Sequence, residues 1–446
     1  DYEPYLFQTK DGGKNWISIV GDFPSGEITR VLRADPVRPG LLFVGTETGV
    51  FYTLNDGRNW VRMDGGIPVS PIYDLKIKDG DLIAATHGRS FWILDDITPL
   101  REISANKRKK GGLVLFKPRP TYRLKLQWAS GMIFTGDGKA YGPAFGLPGT
   151  TYPVKLADGT IERRHLDAGE NPPAGTIIYY WLDAVPDEEL ALSIHDKDRN
   201  LVAHFSSNES EEPNKRLTKS RGMNRFIWNI RYPGPEKLDP NLIKKPYEPL
   251  AKSDLFGSGG GGPTAPPGQY DVNLTCGNFS QSSSFEIRKD PRVETTQAEF
   301  DEQFSLAQNL TSKLSNLRSA VNRIRRLKNQ LRELSTRLPK NSRNLATQAN
   351  RLVTRLETIE GALTDIHRET PRDVLRHTAG LDDTLGDLLA VVAIADFAPT
   401  DQTKAVTKEA EAQVDRQMSK LDKLIDGPVN ALNKKIAAAG IPTIGV

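Results

Sequence analysis

The chain has 446 residues, 60 basic against 56 acidic, so its formal net charge of +4 gives no strong field for nucleic acid. A single cysteine, Cys276, excludes an internal disulfide and a cysteine zinc cluster. No apolar run approaches the roughly 20 residues that cross a bilayer, while the length has room for about three domains. Near-absence of cysteine suits both a cytoplasm and a bacterial envelope. The chain opens on Asp1-Tyr2-Glu3, directly before an apolar run, which is expected of a cut end rather than a natural start.

Residues 1–100 read as strands. Thr9-Lys10-Asp11-Gly12-Gly13-Lys14-Asn15-Trp16 returns 44 residues later as Thr53-Leu54-Asn55-Asp56-Gly57-Arg58-Asn59-Trp60. Each copy follows an aromatic, apolar run, and its Asx and Gly residues suit the positive φ angles of a hairpin turn. Alternation predicts strands over 5–9, 16–20, 28–34, 41–45, 50–53, 60–63, 72–77, 81–85 and 91–94. One hairpin per period of this length is the pattern of a β-propeller blade. With four strands per blade, the segment holds half a blade, one whole blade and three-quarters of another. The remaining blades are expected upstream or in a partner chain.

These turns resemble the Asp box of the BNR repeat, Ser/Thr-x-Asp-x-Gly-x-Thr-Trp, found in sialidases and sortilin-type propellers. The first copy matches at Thr9, Asp11, Gly13 and Trp16, with Asn15 for Thr; the second, at Thr53, Gly57 and Trp60, has Asn55 for Asp and Asn59 for Thr. The chain looks like the C-terminal part of large bacterial proteins labelled sortilin-like or BNR-repeat glycosyl hydrolases. In those, a phrase like His87-Gly88-Arg89-Ser90-Phe91-Trp92-Ile93-Leu94-Asp95-Asp96-Ile97 closes the propeller. The resemblance implies an extracellular or cell-envelope location. It also implies that the boxes are structural turns on the face away from the ligand.

Ligand contacts then belong to the opposite face, in turns 46–49 and 86–89 and loops 21–27 and 64–71. Glu47, His87 and Arg89 are the titratable or charged groups this geometry clusters. Arginine and histidine on a rim suit an anionic ligand, though Arg89 could equally bridge to Asp95 or Asp96. A glycosidase needs two carboxylates about 5–10 Å apart, and these partial blades do not assemble such a pair.

Residues 101–176 read as a wrapping segment rich in Pro and Gly, with short strands at 113–116 and 122–126, a basic run at Lys107-Arg108-Lys109-Lys110, and a weak phosphate-loop echo at Gly136-Asp137-Gly138-Lys139. Residues 177–290 carry short alternating strands and suggest an immunoglobulin-like sandwich. Asn171-Pro172-Pro173-Ala174-Gly175, Arg225-Phe226-x-Trp228 and Pro267-Gly268-x-Tyr270 resemble the Ig-like domain of flagellar hook-capping and related bacterial proteins. Asp196-x-Asp198-x-Asn200 begins like a calcium loop but lacks the following Gly and the twelfth-position Glu.

From 291 onward apolar residues recur at three and four, predicting a helix of about forty residues, a break at Pro339-Lys340-Asn341-Ser342, and further helices after 345, 380 and 401. Asn341 or Ser342 could cap the second helix, and Gly427-Pro428 kinks the last one. Short turns imply an antiparallel three- or four-helix bundle, whose exposed seam could bind a partner or a second copy. Arg318, Arg323, Arg325, Arg326, Lys328 and Arg332 read as a solvated face, not a nucleic-acid surface. His367 and His377 are wrongly spaced for a metal pair.

The sequence thus predicts a multidomain protein, mainly β and then α: an incomplete propeller, a sandwich and a bundle. The expected function is binding of a glycan, peptide or protein at the propeller face; the alternative is a sialidase-like glycoside hydrolase with most of its catalytic residues elsewhere. No cofactor, metal, membrane span or nucleic acid is expected.

Overall fold

A computed structural model describes residues 1–103, 112–124, 140–141, 150–155, 161–165, 172–173, 175–208, 215–242, 261–338, 343–367 and 379–445. The basic run at 107–110, the glycines at 136–139, the caps Asn341 and Ser342, and His377 lie outside the described residues.

Three small antiparallel sheets follow one another in the first hundred residues. The first pairs β1 (Phe7–Gln8) with β2 (Ile17–Ser18). The second orders β3 (Thr29–Ala34), β4 (Leu42–Thr46), β5 (Val50–Thr53) and β6 (Val61–Arg62) in sequence, and the third β7 (Ile72–Lys78), β8 (Asp81–Thr86) and β9 (Phe91–Leu94). Strand β4 shows why they stack. Its Leu42 and Val44 enter a core with Leu6, Ile19 and Trp60, while Phe43 enters another with Ile72, Leu75 and Leu82. The two faces of one alternating strand therefore bury against the sheets on either side, and all five residues are buried. A Cβ on Gly45 would stand 2.7 Å from Ile72 Cγ2, so glycine lets the third sheet approach this close. Chain direction then changes at a short helix α1 (Thr98–Glu102), whose Arg101 holds the buried Asp35 with a bidentate pair at 2.9 and 3.0 Å.

Two further sheets share one core. One runs β10 (Leu113–Leu115), β15 (Thr176–Leu182), β18 (Gly222–Trp228). The other runs β11 (Thr121–Arg123), β20 (Phe279–Lys289), β19 (Gly268–Cys276), β16 (Leu190–His195), β17 (Leu201–Ser206). Trp228, Tyr180, Leu115, Tyr270 and Phe285 meet between them. Strands 113–115 and 121–123, expected in a wrapping segment, are thus part of this two-sheet unit; β11 joins parallel to β20. The amide of Gln281 fixes one edge: its Oε1 accepts from Leu115 N and its Nε2 donates to Leu115 O, both at 2.9 Å. Within the expected wrapping segment, β12 (Ala140–Tyr141), β13 (Thr150–Lys155) and β14 (Ile161–His165) make an antiparallel sheet. Asp196 closes a hairpin turn with bonds from Asp198 N and Asn200 N at 2.9 Å, so its carboxylate is committed to the backbone.

Helix α2 (Gln297–Arg337) starts at a capping box: Glu299 Oε2 accepts from Thr296 N at 2.7 Å and Thr296 Oγ1 from Glu299 N. α3 (Arg343–Leu363) and α4 (Leu381–Ala393) run back along it in succession, as the pairs Arg332–Glu357, Arg325–Glu360 and Arg318–Asp382 require. Strict up-down alternation fails between these two, which share a direction, and the chain reverses again at the next helix. α5 (Asp401–Leu424) meets α2 through Glu302–Lys404, Asn309–Glu411 and Lys313–Asp415, contacts in which both numbers rise together, so these two helices are parallel. The reason is length: 41 residues of α2 leave room for two shorter helices end to end before the chain returns. Gly427 and Pro428 produce a π turn over Ile425–Val429, after which α6 (Asn430–Ala438) continues. The heptad seam is buried rather than exposed: Leu310, Leu314, Leu317, Val321, Ile324 and Leu331 are all fully covered within the bundle. No helix among the described residues is long and apolar enough to cross a membrane.

Candidate functional site

The two Asx-Gly turns are built alike. Thr9 Oγ1 accepts from Gly13 N at 2.9 Å and Asp11 Oδ1 from Asn15 N at 2.9 Å. Thr53 Oγ1 accepts from Gly57 N at 3.1 Å and Asn55 Oδ1 from Asn59 N at 3.0 Å. Asparagine replaces aspartate without loss because the turn needs a carbonyl-type acceptor, not a charge. In the first copy the Asn15 backbone and side-chain amides, with Thr9, hold the Asp11 carboxyl below its ordinary range. Every acceptor here is spent on the turn.

Strand β5 leaves turn 46–49 and ends at the second box, so the boxes and the candidate face lie at opposite ends of the sheet. At that face the second and third sheets repeat one another. Thr46 N bonds Gly49 O at 2.9 Å and Glu47 N bonds Ile28 O at 3.1 Å; Thr86 N bonds Ser90 O at 3.2 Å and His87 N bonds Pro71 O at 2.8 Å. Glu47 and His87 therefore occupy the same position in consecutive sheets. Facing each is a β-bulge, where the register skips Arg30 in β3 and Tyr73 in β7. A bulge re-aims the extra side chain, and here both turn toward the rim. Arg30 forms an ion pair with Glu47, its guanidinium sits 5.5 Å from the centre of the Tyr73 ring, and that ring meets the His87 imidazole edge-on at 4.9 Å.

The structure thus brings Glu47 and His87 together, but through Arg30 and Tyr73, which sequence reasoning missed. Composition carried no sign of them; the bulge is a register event. Arg89 lies in the same turn as His87 and is exposed. Its guanidinium touches the Gly88 carbonyl, at 3.1 Å, and reaches neither Asp95 nor Asp96. Asp96 instead accepts from Thr98, and Asp95 lies in a partly buried cluster with Asp81, Asp96, Arg119 and Arg225, where burial and then Asp81 raise its pKa. A second layer supports the rim. Thr48 Oγ1 donates to Glu27 Oε1 at 2.6 Å, and Arg62 donates to the Thr48 carbonyl at 2.9 Å.

The basic residues of α2 serve a different purpose. Arg325 and Lys328 both hold Glu360, at 2.7 and 2.5 Å, and all three are buried; Arg318 holds Asp382 at 2.8 Å. They tie helix to helix, and their charge is spent inside the bundle. Among the described residues no group of His, Cys, Asp or Glu is arranged to hold a metal ion.

No protein-family model and no curated protein matches the chain. Among solved structures, the extracellular domain of a one-component system from B. thetaiotaomicron aligns at 8% identity and a TM-score of 0.17, over 64% of this chain and 28% of that one. A likeness at that level assigns neither fold nor function, and the chain spans under a third of that structure's length.

Proposed function

We propose that the first three sheets are consecutive blades of an Asp-box propeller in an envelope or secreted protein, and that the rim carrying Glu47, Arg30, Tyr73, His87 and Arg89 binds a carboxylate-bearing ligand. The observation that carries this reading is the repeated bulge-and-turn pair. The second and third sheets each contribute one side chain from a bulge and one from a turn, and the four form a continuous strip. A half-exposed tyrosine ring offers a stacking face, while Arg89, with no acidic partner among the described residues, offers a fork for a carboxylate. Further blades, and an outer strand along the exposed edge of β9, complete the propeller in this account.

For the hydrolase alternative, Glu47 is paired with Arg30, while Glu27 gives Oε1 to Thr48 and keeps Oε2 buried without a partner, one carboxylate where the reaction needs two. Titration calorimetry with trigalacturonate, a hexaglutamate peptide and the neutral maltotriose tests the proposal. Binding of either acidic probe with none of the neutral sugar is expected, and the two acidic arms separate glycan from peptide. Equal binding of all three, or of none, refutes it.

A further inference from the structure

The second Asx-Gly turn is also a seat. Trp60 Nε1 donates to Ile19 O at 3.1 Å, Trp60 N to Asp22 Oδ1 at 2.7 Å, and Asn59 Nδ2 to Asp22 Oδ2 at 3.0 Å. Phe23 packs on Phe51 and edge-on to Trp60, with ring centres 4.7 and 5.3 Å apart. Gly57 completes the seat, since a Cβ there would stand 2.4 Å from Ile19 O, and its φ of +82° already favours glycine. The segment 19–23, which leaves the first hairpin, is therefore gripped by the box of the second through three hydrogen bonds and an aromatic cluster.

The first box presents the same residue types with one difference: Asn15 Nδ2 gives one hydrogen to Asp11 Oδ2 at 2.7 Å, which leaves its second hydrogen for a partner. Asn15, Trp16 and Gly13 stand where Asn59, Trp60 and Gly57 stand in the second, and Phe7 stands where Phe51 does. Their surroundings differ. Trp16 is 61% exposed against 8% for Trp60, and Phe7 49% against 4% for Phe51. Nothing lies within 4 Å of a Cβ on Gly13 except the edge of Trp16 itself.

We infer that the box at 9–16 is a docking surface for a polypeptide segment of the kind it resembles: the end of a β-strand, with an apolar residue whose carbonyl meets the indole N–H, an aspartate three positions on, and an aromatic after it. This rests on the repeat architecture proposed above but on none of the rim residues. A second copy of this chain does not supply the segment, because its own 19–23 is already seated on its own Trp60. The occupant is a further Asx-Gly repeat whose outgoing strand ends in that pattern.

The test uses a synthetic peptide with this chain's residues 17–27, and the same peptide carrying Asp22→Ala, titrated into the full chain labelled with 15N-tryptophan. A Trp16→Phe variant identifies the Trp16 indole resonance. The expected result is a saturable shift of that resonance with the native peptide, weakened by about tenfold or more with the alanine peptide as a charge-assisted pair of bonds is lost. An Asn15→Ala chain should show a similar loss. No shift at millimolar peptide, or equal shifts with both peptides, overturns the inference. So does sedimentation showing that the chain alone dimerises with Trp16 buried. Ligand binding at the rim, measured on the same Trp16→Phe chain, is expected to be unchanged, so failure of one proposal is distinguishable from failure of the other.

Discussion

Replacing Asp396 by alanine strips the counter-ion from Arg123, the residue that joins the two-sheet unit to the bundle. Arg123 is 3% exposed and all five of its N–H groups are used. Nε and Nη2 donate to Asp396 Oδ1 at 3.1 and 2.9 Å, Nη2 also to Gln303 Oε1 at 2.8 Å, and Nη1 to the carbonyls of Thr264 and Ala265 at 3.3 and 3.1 Å. The guanidinium also sits 4.9 Å from the centre of the Phe300 ring. Breaking a buried pair by removing one partner costs about 3–5 kcal/mol, because the other charge stays behind. The three neutral acceptors that remain place Asp396→Ala near the lower end, about 3 kcal/mol. Asp396→Asn keeps an acceptor and loses only the charge, so it should cost less. Arg123→Lys should cost about 2–3 kcal/mol, since one ammonium cannot satisfy carbonyls on both sides.

Urea unfolding followed by tryptophan emission and far-UV dichroism measures this. Trp228 sits in the core of the two-sheet unit while the helices dominate the dichroism, so the two probes report on the two sides of the junction. In the wild type the transitions should coincide; in Asp396→Ala they should separate as well as move to lower urea. A cost below about 1 kcal/mol with coincident transitions would refute the claim that this cluster couples the units.

Glu360→Ala leaves Arg325 and Lys328 as buried cations facing one another, and thermal melts should show a loss of about 3–5 kcal/mol, with Glu360→Gln recovering part of it. Asp22 gives a pH prediction. The Asn59 side chain, then the Trp60 N–H, hold its carboxyl below the ordinary range. A depressed folded-state pKa contributes stability that is present above the unfolded value, about 3.9, and is lost as pH falls through the folded one. The melting difference between wild type and Asp22→Asn should therefore be present at pH 6 and shrink below pH 4, and a difference independent of pH would count against the clamp. Tyr73→Ala should weaken an acidic probe about five- to tenfold through lost stacking, without changing the melting temperature, as checked by calorimetry on both.

Much of the fold was legible because its signals are local. All nine strands of residues 1–100 were placed by alternation, and the Asx-Gly turns marked the repeat, since turn chemistry depends on residues two to four apart. The helical seam and the break at Gly427-Pro428 were legible for the same reason. What was missed is mostly non-local. Arg123 finds Asp396 across 273 residues, and Gln281 finds Leu115 across 166. The direction of α5 depends on how two short helices tile one long one. The rim was half legible: Glu47 and His87 followed from turn position, whereas Arg30 and Tyr73 depend on bulges that no composition announces. One local signal was there to find, the Thr296-x-x-Glu299 capping box that starts α2.

The bulge-and-turn strip is proposed above as a ligand site. Its most direct test is the affinity of the acidic probe that wild type binds, measured by calorimetry against Arg89→Ala, Tyr73→Ala and the exposed control Lys14→Ala. A loss of about tenfold or more is expected for Arg89→Ala, with a charge-assisted carboxylate contact removed, a smaller loss for Tyr73→Ala, and none for the control. Equal affinity in all three variants would contradict it.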